Sequence, residues 1–187
     1  MLLGPQGAGK GTQAQKIATE FGLPHIATGD LYRSAIAADN ELGKQVAPIL
    51  AAGRLVPDGI TIPLIREKLL EAEEGFVLDG YPRNIAQANA LDDLLDEVDR
   101  PLSIVLLLQL PDPLAWARLA KRAKLEGRVD DTPQVIEERL RTYHGETEPV
   151  VEHYRATGKL VQIHAERTID EVWEEISEAL DQVQARA

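Results

Sequence analysis

Short apolar runs alternate along the chain with longer stretches in which apolar residues recur every three or four positions. Leu2–Leu3, His25–Ala27, Phe76–Leu78, Ile104–Leu108 and Leu160–Ile163 read as strands. A strand that is apolar without alternation is one buried on both faces. Helices are expected after each, and this alternation predicts an α/β fold, five parallel strands between helices. The punctuation agrees. Asp112-Pro113 supplies an N-cap and a proline at the first helical position. Thr168-Ile-Asp-Glu171 is a capping box, opening a last helix that carries Val172, Ile176, Ala179, Leu180 and Val183. Trp116 and Trp173 are expected to pack helices.

Two stretches break the alternation. From Thr28 to Pro57 two short helical patterns, Asp30–Ala38 and Leu42–Ala52, follow one another with no strand between. Lys121 to Asp131 is a short polar loop between two long helices. Both contain or adjoin arginines, and loops on a rigid α/β frame are where binding residues usually sit.

Composition narrows the function. A chain of 187 residues, 44% of them hydrophobic, suits one domain with a real core. No apolar run approaches the ~20 residues needed to cross a bilayer. The N-terminus runs directly into strand and glycine-rich loop, which leaves no signal peptide and implies a cytoplasmic protein. There is no cysteine, which excludes disulfides and thiolate zinc sites. His25, His144, His153 and His164 are scattered without ligand spacing and read as ordinary surface or core residues. A net charge of −11 disfavours nucleic acid and anionic membranes as partners. Arginine outnumbers lysine 13 to 7, so any anionic ligand calls for a local concentration of arginine in an acidic body.

The candidate chemistry begins in the first dozen residues, Met1-Leu-Leu-Gly-Pro-Gln-Gly-Ala-Gly-Lys-Gly-Thr12. Gly4, Gly7, Gly9 and Gly11 leave the backbone nearly free of side chains. Such a loop curls around an anion with its N–H groups and a helix N-terminus pointing inward. Lys10 adds a charge that can reach a nucleotide's outer phosphates. Gly4-x-x-x-x-Gly9-Lys10 fits the P-loop pattern except at its last position, where Gly11 replaces the hydroxyl residue and Thr12 comes one step late. Phe76-Val-Leu-Asp79-Gly80-Tyr81-Pro82-Arg83 supplies the second half of such a site. Its buried strand delivers one carboxylate beside the phosphates, so Asp79 is expected to hold Mg²⁺ through water. Arg83 can pair bidentately with a phosphate. Arg118 and Arg122 share a helix face, an unfavourable pairing unless an anion lies opposite.

Gly-Lys-Gly-Thr12, Thr28-Gly-Asp-Leu-Tyr-Arg33, Gly53-Arg-Leu-Val-Pro57, Asp79-Gly-Tyr-Pro-Arg83 and Gly127-Arg-Val-Asp-Asp131 together resemble the adenylate kinase family over essentially the whole chain. The resemblance implies reversible phosphoryl transfer from MgATP to AMP, giving two ADP, by a monomer. It assigns the donor to Gly7, Ala8, Gly9, Lys10, Gly11, Thr12, Arg118 and Arg122, with the Arg167 backbone near the donor adenine. It assigns the acceptor to Thr28, Arg33, Arg54, Leu55, Val56, Gly80, Tyr81, Pro82, Arg83 and Gln87. Arg128 and Arg139 would hold the transferring phosphoryl group and the acceptor, making Lys10, Arg83, Arg118, Arg122, Arg128 and Arg139 the catalytic set. Asp130 and Asp131 would bind arginines or metal-bound water. Gln87 keeps two readings, since Asn84-Ile-Ala-Gln87 is also a capping box by itself.

By the same resemblance the chain divides into a core (1–27, 58–120 and 132–187), an acceptor-binding insertion (28–57) and a lid (121–131). Relatives with a long lid often carry zinc-binding cysteines there. Here five residues separate Arg122 from Arg128 and none is cysteine, so no structural zinc is expected. Gln6 stands where the family usually has proline.

Overall fold

The computed structural model describes residues 1–126 and 132–185. Five strands, β1 (Leu2–Leu3), β2 (His25–Ala27), β3 (Val77–Asp79), β4 (Val105–Gln109) and β5 (Leu160–His164), form one parallel sheet in the order β2-β3-β1-β4-β5. This is the expected α/β architecture. Strand bounds differ from the sequence reading by about a residue. Strand β3 starts at Val77 rather than Phe76 and takes in Asp79, because the Asp79 backbone pairs with both Leu2 and Ala27.

Residue alternation in β4 divides the core between the sheet's two faces. Leu106 and Leu108 join Ile17 of helix α1 (Lys10–Phe21) and Ile176 of the C-terminal helix, α9 (Ile169–Gln184). Val105 and Leu107 face the other way. They pack with Ile65 and Leu69 of α4 (Asp58–Glu71), Leu91 and Leu94 of α5 (Ile85–Glu97), and Val150 and Tyr154 of α8 (Glu148–Arg155). Central β1, with neighbours on both sides, sends its chain through the glycine-rich loop into α1. The connection from β1 runs to β2 at one edge, that from neighbouring β3 crosses to β4 on the other side, and the crevice at such a reversal is where ligands bind in open α/β sheets.

Helices α2 (Thr28–Ala37) and α3 (Glu41–Ala51) follow β2 with no strand between them, as the pattern predicts. Their own small apolar cluster centres on Tyr32, Val46 and Val56. They approach so closely that a Cβ at Gly43 would lie 2.2 Å from the Ala35 carbonyl oxygen. Only glycine allows that crossing. Helix α6 (Asp112–Glu126) continues through Lys121–Glu126, which the sequence reading assigns to a loop; α7 (Pro133–Thr142) follows residues 127–131, and a π-helical turn, Tyr143–Thr147, joins α7 to α8.

The two tryptophans part company. Trp173 is half-buried against the core, with the Lys16 ammonium 5.4 Å from its ring. Trp116 is 39% exposed and does not fill the packing role expected of it, because α6 buries the face carrying Ala115 and Leu119 instead. Among the described residues no helix is long and apolar enough to cross a membrane.

Candidate active site

A cleft of about 470 Å³ opens above the C-terminal ends of β1 and β3. On one side lies the glycine-rich loop, contributing Gly7, Gly9, Lys10, Gly11 and Thr12. The Lys10 Nζ donates to the Gly4 and Pro5 carbonyls, each at 2.8 Å, which folds the side chain back over its own loop. Burial pulls the Lys10 ammonium down to about 8, and the positive charges of Arg83 and Arg122 act in the same direction while Asp79 opposes them.

Asp79 lines the floor, and a Cβ added at Gly11 would lie 3.5 Å from its Oδ2. Burial pushes its carboxyl up, but His25, Lys10 and Arg83 outweigh that and hold it below the usual carboxylate range. Asp79 is therefore ionised at neutral pH, a hard oxygen ligand beside the loop, of the type Mg²⁺ takes. Among the described residues no group of three or more His, Cys, Asp and Glu could enclose a metal ion. A single carboxylate suits a cation that keeps water and phosphate oxygens as its remaining ligands.

Arginines close the rest of the cleft: Arg33 from α2, Arg54 beyond α3, Arg83 beyond β3, Arg118 and Arg122 from α6, and Arg139 from α7. The acidic chain thus gathers six guanidinium groups around one opening. Arg33 is paired with Asp30 at 2.5 Å. Arg118 reaches the loop after β5, donating to the Ala165 carbonyl at 2.8 Å, Glu166 at 3.1 Å and Arg167 at 3.5 Å. Those carbonyls relieve the like-charge pairing with Arg122. The Arg167 side chain turns away to Glu175, so only its backbone belongs to this corner.

Gly80 ties together the side of the cleft opposite the loop. Its carbonyl accepts from both Thr28 Oγ1 at 2.8 Å and Arg83 Nε at 2.7 Å. With φ at 74°, and with Thr28 Oγ1 only 2.8 Å from where a Cβ would stand, the position admits glycine alone. A small recess off the cleft is lined by Thr28, Leu55, Val56, Gly80, Arg83 and Gln87. Tyr81 and Pro82, joined by a cis peptide, lie on the far side of Arg83, by a second small cavity under Gln6 and Lys10. Ala8 is buried in the core beneath the loop.

Gln87 does not complete a capping box. Asn84 does accept from the Gln87 N–H at 2.8 Å, but the Gln87 amide bonds the Arg83 N–H and Asp58 instead of the N-cap backbone. Arg128, Asp130 and Asp131 lie outside the described residues.

Among the cleft residues that the sequence reading does not assign, His25 stands closest to the proposed chemistry. His25 lines the floor, its Nε2 buried and 3.7 Å from Asp79 Oδ2, too long for a hydrogen bond. Strand alternation held the signal: His25 and Ala27 share a face of β2, and Ala27 stands beside Asp79 in register. The other histidines pair with surface carboxylates, His144 with Asp112 and Glu148, His153 with Asp92, and His164 with Glu175.

Comparison with known proteins agrees with this geometry. The adenylate kinase family model matches residues 2–159. The chain is 46% identical over 182 residues to an adenylate kinase of Xanthomonas euvesicatoria pv. vesicatoria (strain 85-10), covering 96% of this chain and 97% of that one. It is 45% identical over 174 residues to one from Stenotrophomonas maltophilia (strain R551-3), covering 92% and 93%. A phosphate loop, an ionised aspartate and a ring of arginines on this sheet, with relatives matched nearly end to end, make the chain a member of the adenylate kinase family, a nucleoside monophosphate kinase.

Proposed function

We propose that the chain catalyses ATP + AMP ⇌ 2 ADP with Mg²⁺ and so keeps adenine nucleotides in balance. The observation that carries this reading is the convergence of Lys10, Asp79, Arg33, Arg83, Arg122 and Arg139 on one cleft, with a small recess at its side. The loop and Lys10 take the donor phosphates, and Arg118 with the Arg167 backbone takes the donor base. Arg33 and Arg83 orient the acceptor phosphate, whose oxygen is already anionic, so no side chain need act as a base. Arg122 and Arg139, with Arg128, offset charge on the phosphoryl group in flight, where preorganised donors in a site closed to water contribute most. Asp79 would hold Mg²⁺ through water, and the ion would neutralise charge on the donor phosphates. Thr28, Arg54, Leu55, Val56 and Gln87 enclose the acceptor base beside Gly80, while Tyr81 and Pro82 carry the turn that sets Arg83.

On this reading residues 28–57 are the acceptor-binding insertion, 121–131 the lid, and the remainder the core. The enzyme works as a cytoplasmic monomer without structural zinc. The test is a coupled assay offering ATP and Mg²⁺ with AMP, UMP, CMP or GMP in turn. AMP is expected to be used far ahead of the others; a preference for UMP or CMP overturns the acceptor assignment, and stoichiometric tightly bound zinc overturns the metal assignment.

A further inference from the structure

The Gln87 amide is 2% exposed and held at both ends. Its Oε1 accepts from the Arg83 backbone N–H at 2.8 Å, and its Nε2 donates to Asp58 Oδ1 at 2.8 Å. A backbone N–H can only donate and an ionised carboxylate can only accept. Turning the amide over would set N–H against N–H and oxygen against carboxylate. Asp58 is itself fixed: it opens α4, where the helix dipole favours a negative charge, and the Asn84 Nδ2 donates to its two oxygens at 3.1 and 3.4 Å. Gln87 therefore has one orientation, and what remains of its amide is one N–H and one acceptor site, at the recess it shares with Thr28, Leu55 and Val56.

Purine bases differ at the matching edge. Adenine presents a donor at its 6-amino group beside the acceptor N1. Guanine and hypoxanthine present an acceptor at O6 beside a donor N1–H. An amide free to turn can pair with either edge, and a fixed one pairs with one only. We infer that Asp58 is a specificity-determining positioning residue: it locks the Gln87 amide so that a 6-aminopurine monophosphate is accepted and a 6-oxopurine monophosphate refused. The inference rests on the AMP reading above. Asp58 acts through Gln87 and needs no contact with the nucleotide.

Inosine monophosphate is the cleanest probe, because its base differs from adenine only at this edge. The wild-type chain should favour AMP over inosine monophosphate by about 10³ in kcat/KM, since a wrong edge leaves buried polar groups unpaired. Asp58→Asn keeps the shape but offers Gln87 either an oxygen or an N–H, leaving the Arg83 N–H as the one partner that favours a single orientation. It should narrow the AMP to inosine monophosphate ratio about fivefold, with KM for ATP unchanged within about twofold, the magnitude following from a lost hydrogen-bond preference of ordinary strength. A purely structural Asp58 predicts a lower melting temperature with the ratio unchanged, and that result overturns the inference. Should Asp58→Asn fail to fold, Gln87→Met removes the amide at similar volume. It should bring the two acceptors within a few-fold of one another, and retention of the wild-type ratio overturns the inference equally. A wild-type chain inactive with AMP overturns the parent reading too, and is recognised before any variant is made.

Discussion

The loop side and the recess side of the cleft, which take the donor and the acceptor on the proposed reaction, are built from different material. The donor loop is a backbone device: glycine after glycine leaves N–H groups exposed, and a helix N-terminus supplies the field. The acceptor side is a side-chain device. Thr28, Arg83, Gln87, Asn84 and Asp58 form a chain of hydrogen bonds that runs from α2 to α5 and α4. A backbone cradle tolerates variation in most side chains but not in its glycines. A side-chain relay depends on each member, and it can discriminate among bases that a backbone cradle treats alike.

The arginines between the two sides are the strongest test of the contrast. Arg139→Ala is expected to lower kcat at least ~10² with smaller changes in either KM, because its charge matters most at the transition state. The same is expected of Arg128→Ala. Arg141 lies two positions along α7, exposed and paired with Glu138, and Arg141→Ala should change little in steady-state kinetics. Variants that keep wild-type kcat and only raise KM would reduce these arginines to ground-state binding.

Next in size is Gly43→Ala, aimed at the acceptor side alone. A Cβ set against the Ala35 carbonyl forces α2 and α3 apart, and overpacking of this kind costs ~1–3 kcal/mol. KM for AMP should rise while KM for ATP stays constant; denaturant unfolding and initial rates check both. Equal damage to both constants would mean that the two sides share one framework.

The donor side is best tested by pH. The Lys10 ammonium is drawn down to about 8 by burial, so its cation is lost as pH rises through that value. A neutral Lys10 attracts phosphate less, and kcat/KM for ATP, which reports the free enzyme, should fall about tenfold per unit above that point. Lys10→Arg stays charged and should show no such fall. The smallest effect is expected from Asn40→Ala, which removes the cap whose side chain accepts from the Gly43 N–H at 2.9 Å. A loss of about 1 kcal/mol in stability, with KM for ATP unchanged, fits an acceptor-side helix that folds independently of the loop.

The same contrast explains what could be read before folding. The backbone device announces itself in composition, since Gly4 to Thr12 carries its chemistry in consecutive residues, and the sheet follows from apolar runs. Asp79 and Arg83 were legible because one short strand and turn joins them. The relay was not. Asp58 and Gln87 are 29 positions apart, and nothing at either position marks the other as its partner. His25 was passed over for a related reason: a lone histidine opening a three-residue strand shows its importance only when β2 is laid beside β3. Trp116 misled because aromatic content was taken for burial, whereas the packed face of α6 is set by Ala115 and Leu119.

The carbonyl of Gly80 has a thermodynamic consequence. One oxygen receives the Thr28 hydroxyl, which borders the small recess, and the Arg83 Nε, whose residue lines the main cleft. Strengthening or losing one of these bonds alters the charge density that the other feels. Groups sharing a partner in this way are energetically coupled and their contributions do not add. On the proposed reaction, the two halves of the acceptor, nucleoside and phosphate, would be recognised as a unit, and the free energy of binding AMP would differ from the sum for its separated parts. Gly80 would then couple chemically unlike parts of one ligand.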